Sequence, residues 1–363
     1  MSMTRALLIH YPDKYVEEEA VALAEAGGYE PVAKLTQRYL ERARYGVGEG
    51  KAEEAATVVR EQGIEMIIFD GRLNASQTYN LAKLCKVEVK DREKLILEIF
   101  AKRASTAEAK LQVELAELKY ELPRARDKVR KAKSEEQPGF FGLGKYEVDV
   151  YVRMMKRRMA TLKRKVDEVK ARRELLIYRR ERTGYPTVAL TGYTGAGKTT
   201  LFNKLTGEAK EVDAGVFTTL SPTTRGIDAG SERTLLSDTV GFISRLPPFL
   251  IEAFKSTLEE VSFASVVILL IDASQPPEKM ATGLQSCMQI LAELGVPETR
   301  ILTVMNKVDL VGDEELGEKM WSIEMREAVG ISAKTGKGLP ELLRKISERI
   351  RTSRTEGDRI EAR

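Results

Sequence analysis

The sequence has very little histidine or cysteine and no long apolar run. Its single histidine, His10, excludes nucleophilic catalysis by histidine and metal sites built from several histidines. Its two cysteines, Cys85 and Cys287, are interpreted as small buried hydrophobes in a reducing compartment. No run approaches the ~20 residues of a membrane span, and the N-terminal apolar stretch is too short for a signal peptide. We therefore expect a cytoplasmic protein that does not insert into membranes.

The length of 363 residues predicts two or three domains. Composition changes along the chain and divides it into four regions. We expect an α/β subdomain, a basic antiparallel helical hairpin, a second α/β domain and a flexible polar tail, at residues 1–90, 91–182, 183–351 and 352–363.

The first region alternates short apolar runs with helical patterns, which predicts a small parallel sheet flanked by helices. The predicted strands are residues 6–9, 31–35, 66–69 and 87–89. The predicted helices are residues 16–26, 52–62 and 75–85. A glycine-rich loop at residues 46–51 precedes a helix, but it lacks the hydroxyl residue after Lys51 that a phosphate-binding loop needs. We favour a structural or RNA-facing loop there over an anion site.

The second region has no strand pattern, and its apolar spacing predicts two long helices joined by a glycine-rich loop at residues 137–144. Pro123 is expected to kink or interrupt the first helix. Residues 147–182 hold 13 Lys/Arg and 6 Asp/Glu, a net charge of +7, whereas the whole chain carries only +4. Such an excess indicates either a solvated helix face or, as we favour, a surface for the phosphates of folded RNA.

A glycine-rich octapeptide opens the third region between an apolar strand and a helix, the arrangement of a phosphate-binding P-loop. Backbone N–H groups of such a loop surround a phosphate, its lysine reaches the β- and γ-phosphates and its final hydroxyl binds Mg²⁺. We assign those two roles to Lys198 and Thr199. The octapeptide is Gly192–Tyr193–Thr194–Gly195–Ala196–Gly197–Lys198–Thr199.

Two further segments are candidates for the groups around the γ-phosphate. Asp238, at the end of an apolar strand, is expected to approach Mg²⁺ through a water, and the Gly241 N–H to meet the γ-phosphate. Thr219 is our choice for the second hydroxyl on Mg²⁺, with Thr218 and Thr223 as alternatives. We therefore assign catalytic roles to Lys198, Thr219 and Gly241. The other nucleotide contacts expected here are Phe217, Thr218, Leu220, Ser221, Thr239 and Val240.

The base of the nucleotide is predicted from two later segments. After an apolar strand comes Asn306–Lys307–Val308–Asp309, in which the Asp309 carboxylate can accept both N1–H and N2–H₂ of guanine, a donor pair that adenine lacks. Lys307 is expected to pack along the base and Asn306 to brace the loops. In Ser332–Ala333–Lys334, the Ala333 N–H is a candidate donor to guanine O6. Asp309 argues against the alternative of an ATP-using enzyme.

These motifs, and others outside the nucleotide site, resemble the HflX family of GTPases in the Obg–HflX group. The likeness covers nearly the whole chain, and we expect the archaeal type of the family, without the additional C-terminal domain of many bacterial members. It departs from the family at Gly195, where Asn is usual, and at Thr199, where Ser is usual. The most specific stretches are Asp91–Arg92–Glu93–Lys94–Leu95–Ile96–Leu97–Glu98–Ile99–Phe100–Ala101–Lys102–Arg103–Ala104 and Tyr120–Glu121–Leu122–Pro123–Arg124.

The resemblance implies an N-terminal α/β domain, a helical hairpin and a Ras-like G domain. It also implies GTP hydrolysis with Mg²⁺ and binding to the large ribosomal subunit, with the hairpin reaching rRNA. Phe242 stands where many GTPases carry a water-orienting glutamine, so we expect slow intrinsic hydrolysis and a catalytic site that a partner completes. We also expect the protein to be a monomer. The alternative from the residues is an RNA-binding or remodelling protein that GTP only modulates.

Overall fold

The computed structural model divides into two compact units, Met1–Asp167 and Glu168–Arg363. It describes the backbone of residues 3–361, except residues 42, 43, 135–144, 183, 210–215, 218–222, 231, 254 and 326. Within the helices, only the backbone is described for residues 128–134, 145–148, 173, 174, 176–182, 253, 255–257, 259 and 353–361.

The first unit begins with a four-stranded, fully parallel sheet, as the alternating pattern predicted. Its strands are β1 (Thr4–His10), β2 (Tyr29–Thr36), β3 (Met66–Phe69) and β4 (Glu88–Asp91), in the order β2-β1-β3-β4. The connecting helices are α1 (Lys14–Gly27), α2 (Glu49–Gln62) and α3 (Ala75–Cys85). Apolar residues of β1 and β3 pack against α2 and α3 in one buried cluster, which fixes the register of the central strands.

The loop that leads into α2 serves packing. Gly46 has φ +79°, and a Cβ added to it would lie 2.3 Å from Leu73 Cδ2. The Gly48 N–H donates to Gln37 Oε1 at 3.2 Å. This close approach requires glycine at position 46 whether or not the loop also meets RNA.

Three helices follow the sheet of the first unit, and the third of them ends beyond residue 167: α4 (Arg92–Arg103), α5 (Ala107–Ser134) and α6 (Lys145–Arg182). The antiparallel hairpin is formed by α5 and α6, with Val152 and Met155 packed on Ala125. The interruption expected at Pro123 is absent, because α5 continues through it. The predicted first arm is broken instead at residues 104–106, where Thr106 Oγ1 accepts from the Ala109 N–H.

A cluster of hydrogen bonds explains why the helix continues past Pro123. Asp91, which is 1% exposed, accepts from the Tyr120 hydroxyl at 2.9 Å and from Arg124 Nη2 at 2.6 Å. Arg124 Nη2 also donates to the Leu73 carbonyl at 2.6 Å. These contacts hold both sides of the proline turn, so tertiary bonding offsets the backbone hydrogen bond that proline lacks.

The second unit is built on a six-stranded sheet in the order β10-β9-β8-β5-β7-β6. Its strands are β5 (Thr187–Gly192), β6 (Thr223–Ala229), β7 (Glu232–Asp238), β8 (Val266–Asp272), β9 (Ile301–Asn306) and β10 (Val329–Gly330). All neighbours are parallel except β6 and β7. The carboxyl ends of β5, β7, β8 and β9 therefore meet at one edge, where ligands bind in open α/β sheets.

The helices of this unit cover the sheet. They are α7 (Lys198–Thr206), α8 (Pro248–Ala253), α9 (Lys255–Ser262), α10 (Pro277–Glu293), α11 (Asp313–Ser322) and α12 (Leu339–Glu361). The α12 residues Leu342, Ile346 and Ile350 are buried in the same core cluster as β5 and β8. This last helix continues to Glu361, beyond the boundary that the sequence suggested at residue 351.

Candidate functional site

The predicted P-loop joins the end of β5 to the start of α7, as the sequence indicated. Gly192 has φ +142°, and a Cβ there would lie 2.3 Å from the Leu270 carbonyl oxygen of the neighbouring strand. Gly197 has φ +93°, and a Cβ there would lie 2.3 Å from Asn306 Nδ2. Both positions therefore need glycine for conformation and for space. The resulting loop ends at a helix N-terminus, which favours bound anions.

Lys198 lies under this loop with its ammonium group buried. Its Nζ donates to the carbonyl oxygens of Gly192 at 3.0 Å and Tyr193 at 2.9 Å. Burial lowers the pKa of Lys198 to about 8, and the charge of Asp238 opposes this fall. The side chain is thus held in place before any phosphate arrives, and a phosphate would restore its preference for the charged form.

Two oxygen groups meet beside Lys198 where the sequence placed the magnesium site. Thr199 Oγ1 lies 3.4 Å from Asp238 Oδ2, at the adjoining ends of α7 and β7. A hydroxyl and a carboxylate are hard oxygen ligands that suit Mg²⁺, so these residues fit the ion. Among the described residues there is no cluster of three or more His, Cys, Asp or Glu side chains that could hold a metal.

The segment after β7 lies directly on the P-loop. The Phe242 N–H donates to the Gly192 carbonyl at 3.0 Å, and the Thr194 N–H donates to the Phe242 carbonyl at 2.8 Å. The Phe242 side chain is 1% exposed, and the Thr239 hydroxyl donates to the Leu190 carbonyl at 2.6 Å. Phe242 thus contributes to this site through its backbone, while its ring is part of the core.

The predicted base-recognition segments also meet, and Asn306 connects them to the P-loop. Its Nδ2 donates to the Ala196 carbonyl at 2.7 Å, and its Oδ1 accepts from the Ala333 N–H at 2.9 Å. The bracing role predicted for Asn306 is therefore visible in the geometry. The Ala333 N–H, our candidate donor to guanine O6, is used by Asn306 in this structure. Ser332 is fully buried, and Lys334 is exposed.

Lys307 and Asp309 differ in their surroundings. Lys307 adopts φ +66° and donates to Asp272 Oδ2 at 2.7 Å. Burial acts to raise the pKa of Asp272, but hydrogen bonds from Lys307, Ser274 and Gln275 outweigh it and hold that pKa below its ordinary value. Asp309 is exposed, so its carboxylate is open to a ligand.

Part of the predicted site lies outside the described residues. Thr218, Thr219, Leu220 and Ser221 belong to this part. Phe217, which precedes them, is buried and has φ +57°. Thr223, an alternative to Thr219, is the first residue of β6 and pairs with Asp238 of β7.

One residue and one contact at the site were missed by the sequence reasoning. Asp272, the partner of Lys307, is the last residue of the buried apolar strand β8, and that position was a usable signal. The Tyr193 hydroxyl accepts from the Ser244 N–H at 2.9 Å, a contact that no local pattern indicates.

The P-loop, the Thr199–Asp238 pair and the Asn306 bridge define a P-loop GTPase. Three family models match along the chain: the N-terminal region of GTP-binding GTPases at residues 14–101, their middle region at 103–180, and 50S ribosome-binding GTPases at 187–307. The chain belongs to the HflX family of GTPases, as the sequence motifs suggested, and it binds and hydrolyses GTP.

Relatives in archaea and bacteria match most of the chain. The HflX GTPase of Thermococcus kodakarensis is 42% identical over 88% of this chain and 74% of its own length. That of Escherichia coli is 36% identical over 95% of this chain and 83% of its own. A crystal structure of SsGBP with GDP is 30% identical, covers 95% of this chain and 98% of its own, and has a TM-score of 0.56. The expected fold class is confirmed.

Proposed function

We propose that this GTPase is a nucleotide-dependent switch that associates with the large ribosomal subunit and hydrolyses GTP slowly by itself. The observation that carries the proposal is the exposed basic face of α6 in a chain whose GTPase region matches the 50S ribosome-binding family. Exposed members of that face are Lys156, Arg157, Lys163, Arg164 and Lys165.

The opposite face of α6 supports this reading because it is already occupied. Val152, Met155 and Leu162 are buried, and Val152 and Met155 pack on the α5 side of the hairpin. Arg158 forms an ion pair with Glu114 of α5. The helix therefore has one side for packing and one for solvent, and the basic residues lie on the solvent side. Such a surface suits contacts to the RNA backbone.

For the nucleotide itself, we propose that Thr199 and Asp238 hold Mg²⁺ together with Thr219, and that Asp309 selects guanine. Mg²⁺ would supply neutralisation of the phosphate charge. The bonds of Lys198 to the Gly192 and Tyr193 carbonyls, with Gly241 beside it, support a role for Lys198 at the same phosphates. An Asp309→Asn substitution should lower GTP affinity about 10-fold or more while leaving weak ATP binding unchanged, because a bidentate charged pair is lost.

Slow hydrolysis follows from Phe242, whose buried phenyl ring cannot orient water by hydrogen bonding. A partner must then supply or reposition a group for rapid turnover. We expect large ribosomal subunits to raise the single-turnover rate. If they gave no stimulation and Phe242→Gln left the intrinsic rate unchanged, this account of the rate would be wrong.

The central experiment is co-sedimentation with purified large subunits in GDP and in a non-hydrolysable GTP analogue. We expect more protein in the pellet with the analogue, and binding that weakens steeply with salt. Reversal of two basic residues by Lys163→Glu and Lys165→Glu should reduce binding and the salt dependence. The matched control, Lys337→Glu with Lys345→Glu, makes the same change in net charge on the G domain. Equal binding to the large subunit with GDP and with the GTP analogue would favour the RNA-binding alternative.

A further inference from the structure

In the described part of the chain, three hydrogen bonds join the loop after β7 to the P-loop. We call residues 239–245 the switch II loop. Two of the bonds join Phe242 to the backbone of Gly192 and Thr194, at 3.0 and 2.8 Å. The third joins the Ser244 N–H to the Tyr193 hydroxyl at 2.9 Å. It is the one side-chain bond of the three, so a substitution can remove it without touching the backbone.

The Tyr193 ring is held in position by α10. A Cβ added to Gly283 would lie 3.6 Å from Tyr193 Cδ2, so the ring lies against the helix at a point where there is no side chain. The hydroxyl at the far end of the ring then reaches Ser244. Because the ring packs independently of its hydroxyl, Tyr193→Phe should preserve the packing and remove only the acceptor.

The switch II loop lies close to the ammonium group of Lys198. A Cβ built on Gly241 would lie 2.9 Å from Lys198 Nζ, so the loop backbone is packed against the ammonium that must reach the γ-phosphate. In the assignment made above, the γ-phosphate contacts both the Gly241 N–H and Lys198, whereas the β-phosphate contacts the P-loop. GTP, unlike GDP, would therefore have to move these two groups apart.

We propose that Tyr193 is a positioning residue that holds the switch II loop in a state favouring GDP over GTP. The proposal rests on the nucleotide-switch role given above. Its physical basis is that the apparent affinity of a ligand falls with the fraction of protein in the competent state. A net hydrogen bond of ordinary strength changes that fraction by a factor of about 3 to 10.

Tyr193→Phe tests this with purified full-length protein, by titration with fluorescent GDP and with a non-hydrolysable fluorescent GTP analogue. The ratio of the GDP dissociation constant to that of the analogue should be about 3- to 10-fold greater than in the unsubstituted protein. Amide hydrogen exchange at Ser244 in the GDP complex should accelerate by a similar factor. Tyr185→Phe is the matched control, because Tyr185 is 45% exposed at the start of the G domain.

The outcome separates positioning from general damage. A structural defect would weaken both nucleotides alike and leave the ratio unchanged, which would overturn the proposal. Unchanged exchange at Ser244 would overturn it as well. The titrations contain no ribosomes, so their result does not depend on whether the chain binds the large subunit.

Discussion

Asn306→Ala should weaken nucleotide binding. The proposed role of Asn306 is to connect the loops of the site, and the guanine itself is assigned to Asp309. Asn306 is 2% exposed and bonds the Ala196 carbonyl at 2.7 Å and the Ala333 N–H at 2.9 Å. Alanine would leave both backbone groups without these partners. The P-loop and the base-recognition loop would then lose their direct connection.

The magnitude follows from those two bonds. Each buried hydrogen bond contributes about 0.5–1.5 kcal/mol net, so the pair contributes about 1–3 kcal/mol. If the whole of that free energy is lost from nucleotide binding, GDP affinity should fall by a factor of about 5 to 150. Any part of the loss that appears as reduced stability of the free G domain lowers this factor.

Titration with fluorescent GDP measures the effect, and thermal unfolding of the same samples measures the part that appears as stability. Asn80→Ala is the matched control, because Asn80 makes one exposed bond to the Arg44 carbonyl in the first unit. Asn306→Asp keeps the acceptor for Ala333 but places an oxygen against the Ala196 carbonyl. If Asn306→Asp bound GDP as the unsubstituted protein does, the bond to Ala196 would not matter and the reasoning would be refuted.

Three further predictions concern other parts of the molecule. GDP affinity should fall as pH rises above about 8, where buried Lys198 loses its proton in the free protein, and this dependence should disappear in Lys198→Met. Gly195→Asn should leave GDP affinity within about twofold, because asparagine accepts a left-handed φ such as the +80° found here and the space around the position is open, whereas Gly192→Ala should lower the melting temperature sharply. Asp91→Ala should destabilise the first unit by about 2–4 kcal/mol in chemical denaturation, because Tyr120, Arg124 and two backbone N–H groups lose a buried acceptor.

Much of the first unit could be predicted because its signals are local. Each apolar run is bounded by turn residues, and α3 covers residues 75–85 as expected because Asn74 and Gln77 form a capping box there. The continuation of α5 through Pro123 could not be predicted in this way. It depends on contacts from Tyr120 and Arg124 to Asp91, about thirty residues away.

The nucleotide site shows the same division. The positions of Asp238 and Asn306 at strand ends, and of Lys198 at the start of α7, follow from motifs whose spacing is fixed by the sheet. The bonds that connect the motifs do not follow from spacing. That Ala333 donates to Asn306, and Lys307 to Asp272, depends on loop conformations such as the positive φ of Lys307.

A second group of bonds at this site occupies carbonyl oxygens of the P-loop. The Gly192 carbonyl accepts from Lys198 Nζ and from the Phe242 N–H, the Tyr193 carbonyl accepts from Lys198 Nζ, and the Ala196 carbonyl accepts from Asn306. A carbonyl oxygen turned towards a phosphate would repel it, so donors from three separate elements hold these oxygens on the protein side of the loop. The loop can then present N–H groups to the ligand, and anion binding depends on Asn306 and the switch II loop as well as on the glycines.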